Sequence, residues 1–300
     1  VPKYLLNFSE QQIQAQFPEA NIEEVEDYNI FHPQGFVSGA VLKFAREGYF
    51  PIKTYQESES DPLNAIIQPL SQIPAGDGAV VQFIIRSAPS SWHNFGKKIA
   101  STMRQGKSLG DAQKEVHGGI LNFLTGILHS ATKKKDDQEK HYQLSPLEEE
   151  MIKRLETKSS KAGVEANVRI IASSKIQANA RAYVDTLSGA FAQYNIYEYG
   201  NSFKSVFPKQ EKLIENFIFR RYNSKHKVLL NTEELASVYH FPLPQTETTN
   251  IKWLTAKRSP APLTAPKEGM VQLGFNEYRG RKTPIWMLRP DRRRHMYIIG

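Results

Sequence analysis

The 300 residues include no cysteine. That excludes a disulfide scaffold, a zinc ribbon and a thiol nucleophile, and it fits a reducing compartment. A run long enough to cross a bilayer is missing too. The most apolar stretch, residues 120–128, is interrupted by Asn122, Thr125 and Gly126, and a spanning helix needs ~20 apolar residues. Membrane attachment would therefore depend on residues before Val1. No charged-then-apolar leader opens the chain, which starts Val1, Pro2, Lys3; the expectation is an excised piece of a longer polypeptide.

Enzyme constellations are scarce as well. The eight histidines show no H-x-x-x-H or other metal-ligand spacing, and without cysteine a structural zinc site has no ligand set. No G-x-S-x-G elbow occurs. His32 follows an expected strand and His240 ends an expected helix, positions where histidine is ordinarily a surface or hydrogen-bonded group. The carboxylates Glu23-Glu24 and Glu148-Glu149-Glu150 have no partner group implied. Gly76-Asp77-Gly78 lacks the rest of a dinucleotide fingerprint and reads as a turn.

What the chain does have is a core and a charged end. It is 40% hydrophobic and 23% charged, enough to bury an interior. Residues 251–300 hold eleven basic residues against Glu268, Glu277 and Asp291, so the last sixth carries the whole net charge of +8. A phosphate-rich partner is one meaning of such a cluster. A solvated surface, or a patch paired with acidic groups on a neighbouring domain, is the other. Tyr278, Trp286 and Tyr297 are the aromatics close enough to those cations to stack on bases. The run Lys133-Lys134-Lys135 reads as a solvated loop.

The element pattern is α+β. Residues 9–17 read as a helix with Ser9 and Gln12 as a capping box. Strands are expected over 22–31 and 35–44, with 49–55 extending the second or beginning a third. A helix starts at Asp61-Pro62. Residues 79–85 read as a central strand, and residues 90–105 as an amphipathic helix with Trp92, Phe95, Ile99 and Met103 on its buried face. Residues 106–144 read as a flexible insert with one weak helix over 120–129. Ser145-Pro146-Leu147-Glu148 carries the signals of a capped helix. Then come a strand over 164–172, a helix over 176–194, a short strand over 196–199, a helix over 208–222 and a capped helix over 231–239. This order predicts two ferredoxin-like, split βαβ halves, 1–105 and 145–245, flanking the insert. A proline-rich connector, 246–267, leads to a basic β segment, 268–300, with strands over 270–276, 283–288 and 295–299.

The run Leu273-Gly274-Phe275-Asn276-Glu277-Tyr278-Arg279-Gly280, then Thr283-Pro284-Ile285, then Asp291-Arg292-Arg293-Arg294-His295-Met296-Tyr297-Ile298-Ile299-Gly300 resembles the lead-in to the nucleotide-binding loop of conjugative DNA-transfer ATPases. These are the type IV secretion coupling-type proteins of the FtsK–HerA class. Residues 22–28, Asp61-Pro62-Leu63, residues 82–86 with Trp92, and residues 230–242 are similar to the same proteins' amino-terminal region. The insert is not covered. The resemblance implies an ATPase core following Gly300, which would be the first residue of G-x-x-x-x-G-K-[ST]. It implies ATP and Mg for the full-length protein, while this fragment, lacking the loop Lys and Ser/Thr, would hold no cofactor and not hydrolyse ATP. It further implies a hexamer, secretion-machinery partners, and a cytoplasmic location with the inner face of the membrane as the alternative placement. Arg279, Arg281, Lys282, Arg292, Arg293 and Arg294 would face DNA or a neighbouring domain. The rival expectation is a self-contained nucleic-acid-binding protein that uses the same basic segment.

Overall fold

The computed structural model describes residues 2–18, 20, 22, 25, 27–125, 143–242, 259–278 and 281–297. The chain divides into two compact units, Asn29–Asn250 and a second made of Val1–Tyr28 with Ile251–Gly300. The second unit contains helix α1 (Leu6–Gln16) and the hairpin treated below. Ser9 lies inside α1, so the helix starts earlier than its expected cap.

The larger unit is α+β with an antiparallel sheet. Its strands are β1 (Phe36–Phe44), β2 (Gly78–Ser87), β3 (Gly163–Ser174), β4 (Phe203–Val206) and β5 (Val228–Asn231). The order is β2-β3-β1-β4, with β5 also paired to β3. The two expected halves are therefore corrected to one sheet. β1 and β2 come from the first half and β3, β4 and β5 from the second, and the halves interleave across the β1–β3 and β2–β3 pairings.

β3, rather than β2, is the central strand. It pairs with β1 over 168–174, with β2 over 164–173 and with β5 over 163–166. Its residues 165–174 are all buried, whereas β2, an edge strand, is half-buried and then exposed. The sequence pointed to β2 because β3 carries Glu165, Asn167 and Arg169, which dilute its apolar pattern.

Helices fill both faces. On one lie α2 (Asn64–Ser71), α6 (Gln177–Ala190) and α8 (Thr232–Val238). Ile66, Val184, Leu187 and Val238 pack there against Leu42, Val168 and Ile170. On the other, α7 (Gln210–Ile218) sets Leu213 against Val41 and Ile171. Ile30 and Phe31 join that cluster as side chains. The described part of the strand expected over 22–31 is not a strand: Asn29 Oδ1 accepts from Phe31 N, and His32 N donates to Ser173 Oγ instead of a ladder partner.

A third cluster joins α3 (Trp92–Arg104), α4 (Leu109–Thr125) and α5 (Pro146–Ser160) around Ile99, Met103, Ala112, Val116 and Leu155, with Tyr49 and Phe50 closing it. Helix α4 corrects the flexible insert over 109–125 to a helix, with Leu109, Ala112 and Val116 packed in this cluster; Lys133-Lys134-Lys135 lie outside the described residues. Gly96 lets α3 approach α5, since a Cβ there would meet Ser159 Oγ at 2.2 Å. The α5 capping box stands as expected, with Ser145 Oγ accepting from Glu148 N at 3.3 Å. Residues 196–199 form a turn rather than a strand, because Ile196 N donates to Asn201 O at 2.8 Å and closes the segment on itself. The strand follows it, as β4. Residues 49–55 are likewise not strand, though Tyr49, Phe50 and Ile52 are buried.

One ion pair ties α5, the 50–52 segment and α8 together. Lys158 and Glu234, 1% and 0% exposed, meet at 2.9 Å. Lys158 Nζ also donates to Phe50 O and Leu229 O, each at 3.0 Å. Glu234 accepts from Ile52 N and Asn231 N, each at 2.9 Å. Burial pushes the Lys158 ammonium down, and the Glu234 carboxylate opposes it. Removing one member of such a pair strands the other charge in a dry interior. Glu234→Gln is expected to lower stability by about 3–5 kcal/mol. Urea unfolding measures it, and a loss under about 1 kcal/mol would show that the pair does not hold these elements together.

Candidate functional site

The second face of β3 is polar, and the chain after α7 folds over it. Arg169, 2% exposed, donates from Nη1 to Gln82 Oε1 at 2.8 Å and to Asn216 O at 3.1 Å, and from Nη2 to Asn167 Oδ1 at 3.3 Å and to Arg221 O. It faces carbonyls rather than a carboxylate, and burial pushes its guanidinium down. These carbonyls lie where α7 ends in a Schellman turn. Arg221 N donates to Asn216 O and Arg220 N to Phe217 O. Arg220 has φ 50°, a left-handed position where glycine is usual. Asn167 Nδ2 donates to Asn223 O and His226 O, each at 2.9 Å, which fixes the 223–227 segment.

Glu165, next along the same row, is 2% exposed. It is paired with Arg86 at 2.6 Å and with Lys227, and accepts from the Tyr222 hydroxyl at 2.9 Å. Burial pushes this carboxyl up, but the hydrogen bonds from Lys227, Arg86 and Tyr222 together outweigh it and hold the group below its ordinary range. Burial and the Glu165 hydrogen bond push the Tyr222 phenol up to about 12.

Above Glu165 opens a cleft of about 480 Å³. Four cations line it, Lys43, Arg46, Lys225 and Lys227, against the single carboxylate of Glu165. Phe44, Trp92, Phe95 and Leu229 supply apolar wall. Arg46 is engaged: its Nη1 donates to Gly200 O at 2.9 Å and its guanidinium stacks 3.6 Å over the Phe50 ring. Lys43 and Lys225 have no ion pair among the described residues. None of the four was singled out from sequence. They come from two segments, 43–46 and 225–227, and only the sheet register and the Asn167 contacts bring them together.

The basic segment expected to carry function lies in the other unit. β6 (Val271–Tyr278) and β7 (Arg281–Met287) form an antiparallel hairpin. Arg281 and Lys282 are exposed on β7, with Lys282 Nζ 4.5 Å from the Phe275 ring centroid. Arg292 and Arg293 are exposed in the 3-10 turn Pro290–Arg293, and Arg294 lies 3.8 Å from Asp291. Arg279 and Gly300 lie outside the described residues. The strand expected over 295–299 is corrected for its described part. Residues 295–297 are irregular, with Met296 53% and Tyr297 88% exposed, and no strand among the described residues pairs with their backbone. Trp286 is partly buried and Tyr297 open, so the candidate stacking aromatics do not share one exposure. His240 is satisfied, with Nε2 3.0 Å from Asp61 Oδ1 and Nδ1 2.8 Å from Phe241 O. Among the described residues, no three His, Asp or Glu side chains come together as a metal set, and no helix is long and apolar enough to cross a membrane.

A family model described as "Domain of unknown function (DUF8128)" matches residues 5–254. The chain belongs to the DUF8128 family. No curated protein and no solved structure matches it. The DUF8128 match takes in the whole larger unit and every residue of the cleft, and it stops before the hairpin.

Because the folded Glu165 carboxyl titrates below its unfolded value, the stability it adds is present above about pH 4.5 and is lost as pH falls through the lowered pKa. Glu165→Gln is expected to lower stability at neutral pH by about 1–3 kcal/mol and to flatten the acid limb of the stability curve. Urea midpoints taken from neutral to acid pH check this; an acid slope equal to that of the wild type would show that Glu165 is not held ionised.

Proposed function

We propose that this chain is the non-catalytic docking and assembly region of a DNA-translocating type IV secretion ATPase, with residues 268–300 leading into its nucleotide-binding loop. The run from Asp291 to Gly300 carries the proposal. The division of the chain supports it: the DUF8128 match covers the α+β unit, and the arginine-rich hairpin falls in a separate unit. The strand order β2-β3-β1-β4, with β1–α2–β2 and β3–α6–β4 crossovers, supports a single ferredoxin-like layer as the docking body, with α3, α4 and α5 inserted between β2 and β3. In the full-length protein the loop Lys and Ser/Thr would hold ATP and Mg, and Gly300 would supply the first backbone turn. The neighbouring subunits of a hexamer and the secretion machinery are the partners this implies, in the cytoplasm or at the inner face of the membrane. The coding sequence after Gly300 tests it directly. Within about ten codons it is expected to encode Gly-Lys-Ser or Gly-Lys-Thr; a stop codon or an unrelated polar tail ends the proposal.

The exposure of Arg281, Lys282, Arg292 and Arg293 favours a second reading, a nucleic-acid-binding protein acting through that segment. Binding of DNA by the intact chain would then weaken with salt by about 0.9 log units per phosphate contact per log unit of salt. Replacing Arg292, Arg293 and Arg294 by Ala is expected to reduce that slope and weaken binding at least tenfold. Unchanged affinity in a filter-binding series would remove these arginines from the contact.

A further inference from the structure

Independently of the motor assignment, we propose that the cleft at the end of β1 binds a phosphate-bearing ligand of nucleotide size, its phosphate held by Lys43 and Lys225 and its apolar part laid against Phe95 and Leu229. The volume, about 480 Å³, lies in the range of small-molecule sites. Its charge is unbalanced in a specific way. Glu165 is saturated by Arg86, Lys227 and the Tyr222 hydroxyl, and Arg46 by a carbonyl and a ring. Lys43 and Lys225 are left facing the opening with no ion pair among the described residues.

Two further observations point the same way. Lys43 on β1 stands directly opposite Lys204 on β4, a like-charge cross-strand pair that costs stability unless an anion lies nearby. The His226 imidazole, beside Lys225 and Lys227 in the chain, is pushed down by burial and then by Lys43, Arg169 and Lys225 in turn. A phosphate between Lys43 and Lys225 relieves both. The apolar wall explains why the ligand carries more than a phosphate, since Phe95 and Leu229 offer it surface to cover.

Titrating the intact 300-residue chain with AMP, adenosine and inorganic phosphate, by calorimetry, tests this. AMP is expected to bind with Kd at or below about 1 mM, and adenosine and inorganic phosphate each at least tenfold more weakly. Lys43→Ala with Lys225→Ala is expected to weaken AMP at least tenfold, whereas Lys153→Ala, on the exposed side of α5, leaves it unchanged. Circular dichroism and the urea midpoint establish that the double variant is folded, and the His226 imidazole resonance is expected to shift toward a higher pKa when AMP is bound to the wild type. Adenosine binding equal to AMP, inorganic phosphate binding equal to AMP, no saturable AMP binding, or an unaltered affinity in the folded double variant would each overturn the site. A 5′-phosphorylated oligonucleotide, tested in the Arg292→Ala, Arg293→Ala, Arg294→Ala background to separate it from the basic segment, distinguishes the sources. Tighter binding than AMP, lost with Lys43 and Lys225, assigns the phosphate to a nucleic-acid end, and weaker binding assigns it to a free nucleotide.

Discussion

The larger unit depends on the burial of β3 on both faces. With α2, α6 and α8 on one face and α7 with the chain after it on the other, β3 has no solvent side on which to place polar groups. Yet alternate positions carry Glu165, Asn167, Arg169 and Ser173. An unpaired buried donor or charge costs several kcal/mol, so each of these groups must find a partner above the sheet. Arg86, Gln82 and His32 supply some of them, and the others come from one stretch of chain, 216–227, which α7 delivers and a left-handed residue at Arg220 turns back across the row. The same requirement sets Lys225 and Lys227 over the sheet and so shapes the mouth of the cleft.

Two buried cations are handled differently. Lys158 meets a carboxylate and two carbonyls, and the pair links elements more than seventy residues apart in sequence. Arg169 has carbonyl and amide oxygens alone among its hydrogen-bond partners. Its five fixed donors suit that role, because the planar fork reaches two side-chain amides and two backbone carbonyls at once. Neither cation is free for chemistry. Each is a constraint on where loops can go, and the free lysines of the cleft stand out against them.

Charge is arranged by position rather than by amount. Residues 29–250 hold 27 basic and 22 acidic residues, so the α+β unit carries a net charge of +5. Its cleft gathers four cations around the one carboxylate of Glu165. The other unit joins an acidic stretch, residues 1–28, to a basic one, residues 251–300, in which Arg281, Arg292 and Arg293 are exposed. A cleft that gathers cations and an open cationic segment are different tools. The first discriminates by shape and contact, while the second attracts any polyanion at range.

Local signals were legible in the sequence: the capping boxes at Ser145 and Asn231, the faces of α3 and α6, and the β6–β7 hairpin all follow from residues within one or two turns of each other. Strand order was not, because β1 pairs with β3 across more than 120 residues and no local pattern records a partner that distant. β3 was underrated for the same reason, since the groups that satisfy Glu165 and Arg169 lie in other elements. Asn231 and Glu234 show the division in one place. Spacing alone determined that they cap a helix. Only the fold decided that the same carboxylate, already closing its cap, should also meet the Lys158 ammonium in a site where water cannot compete.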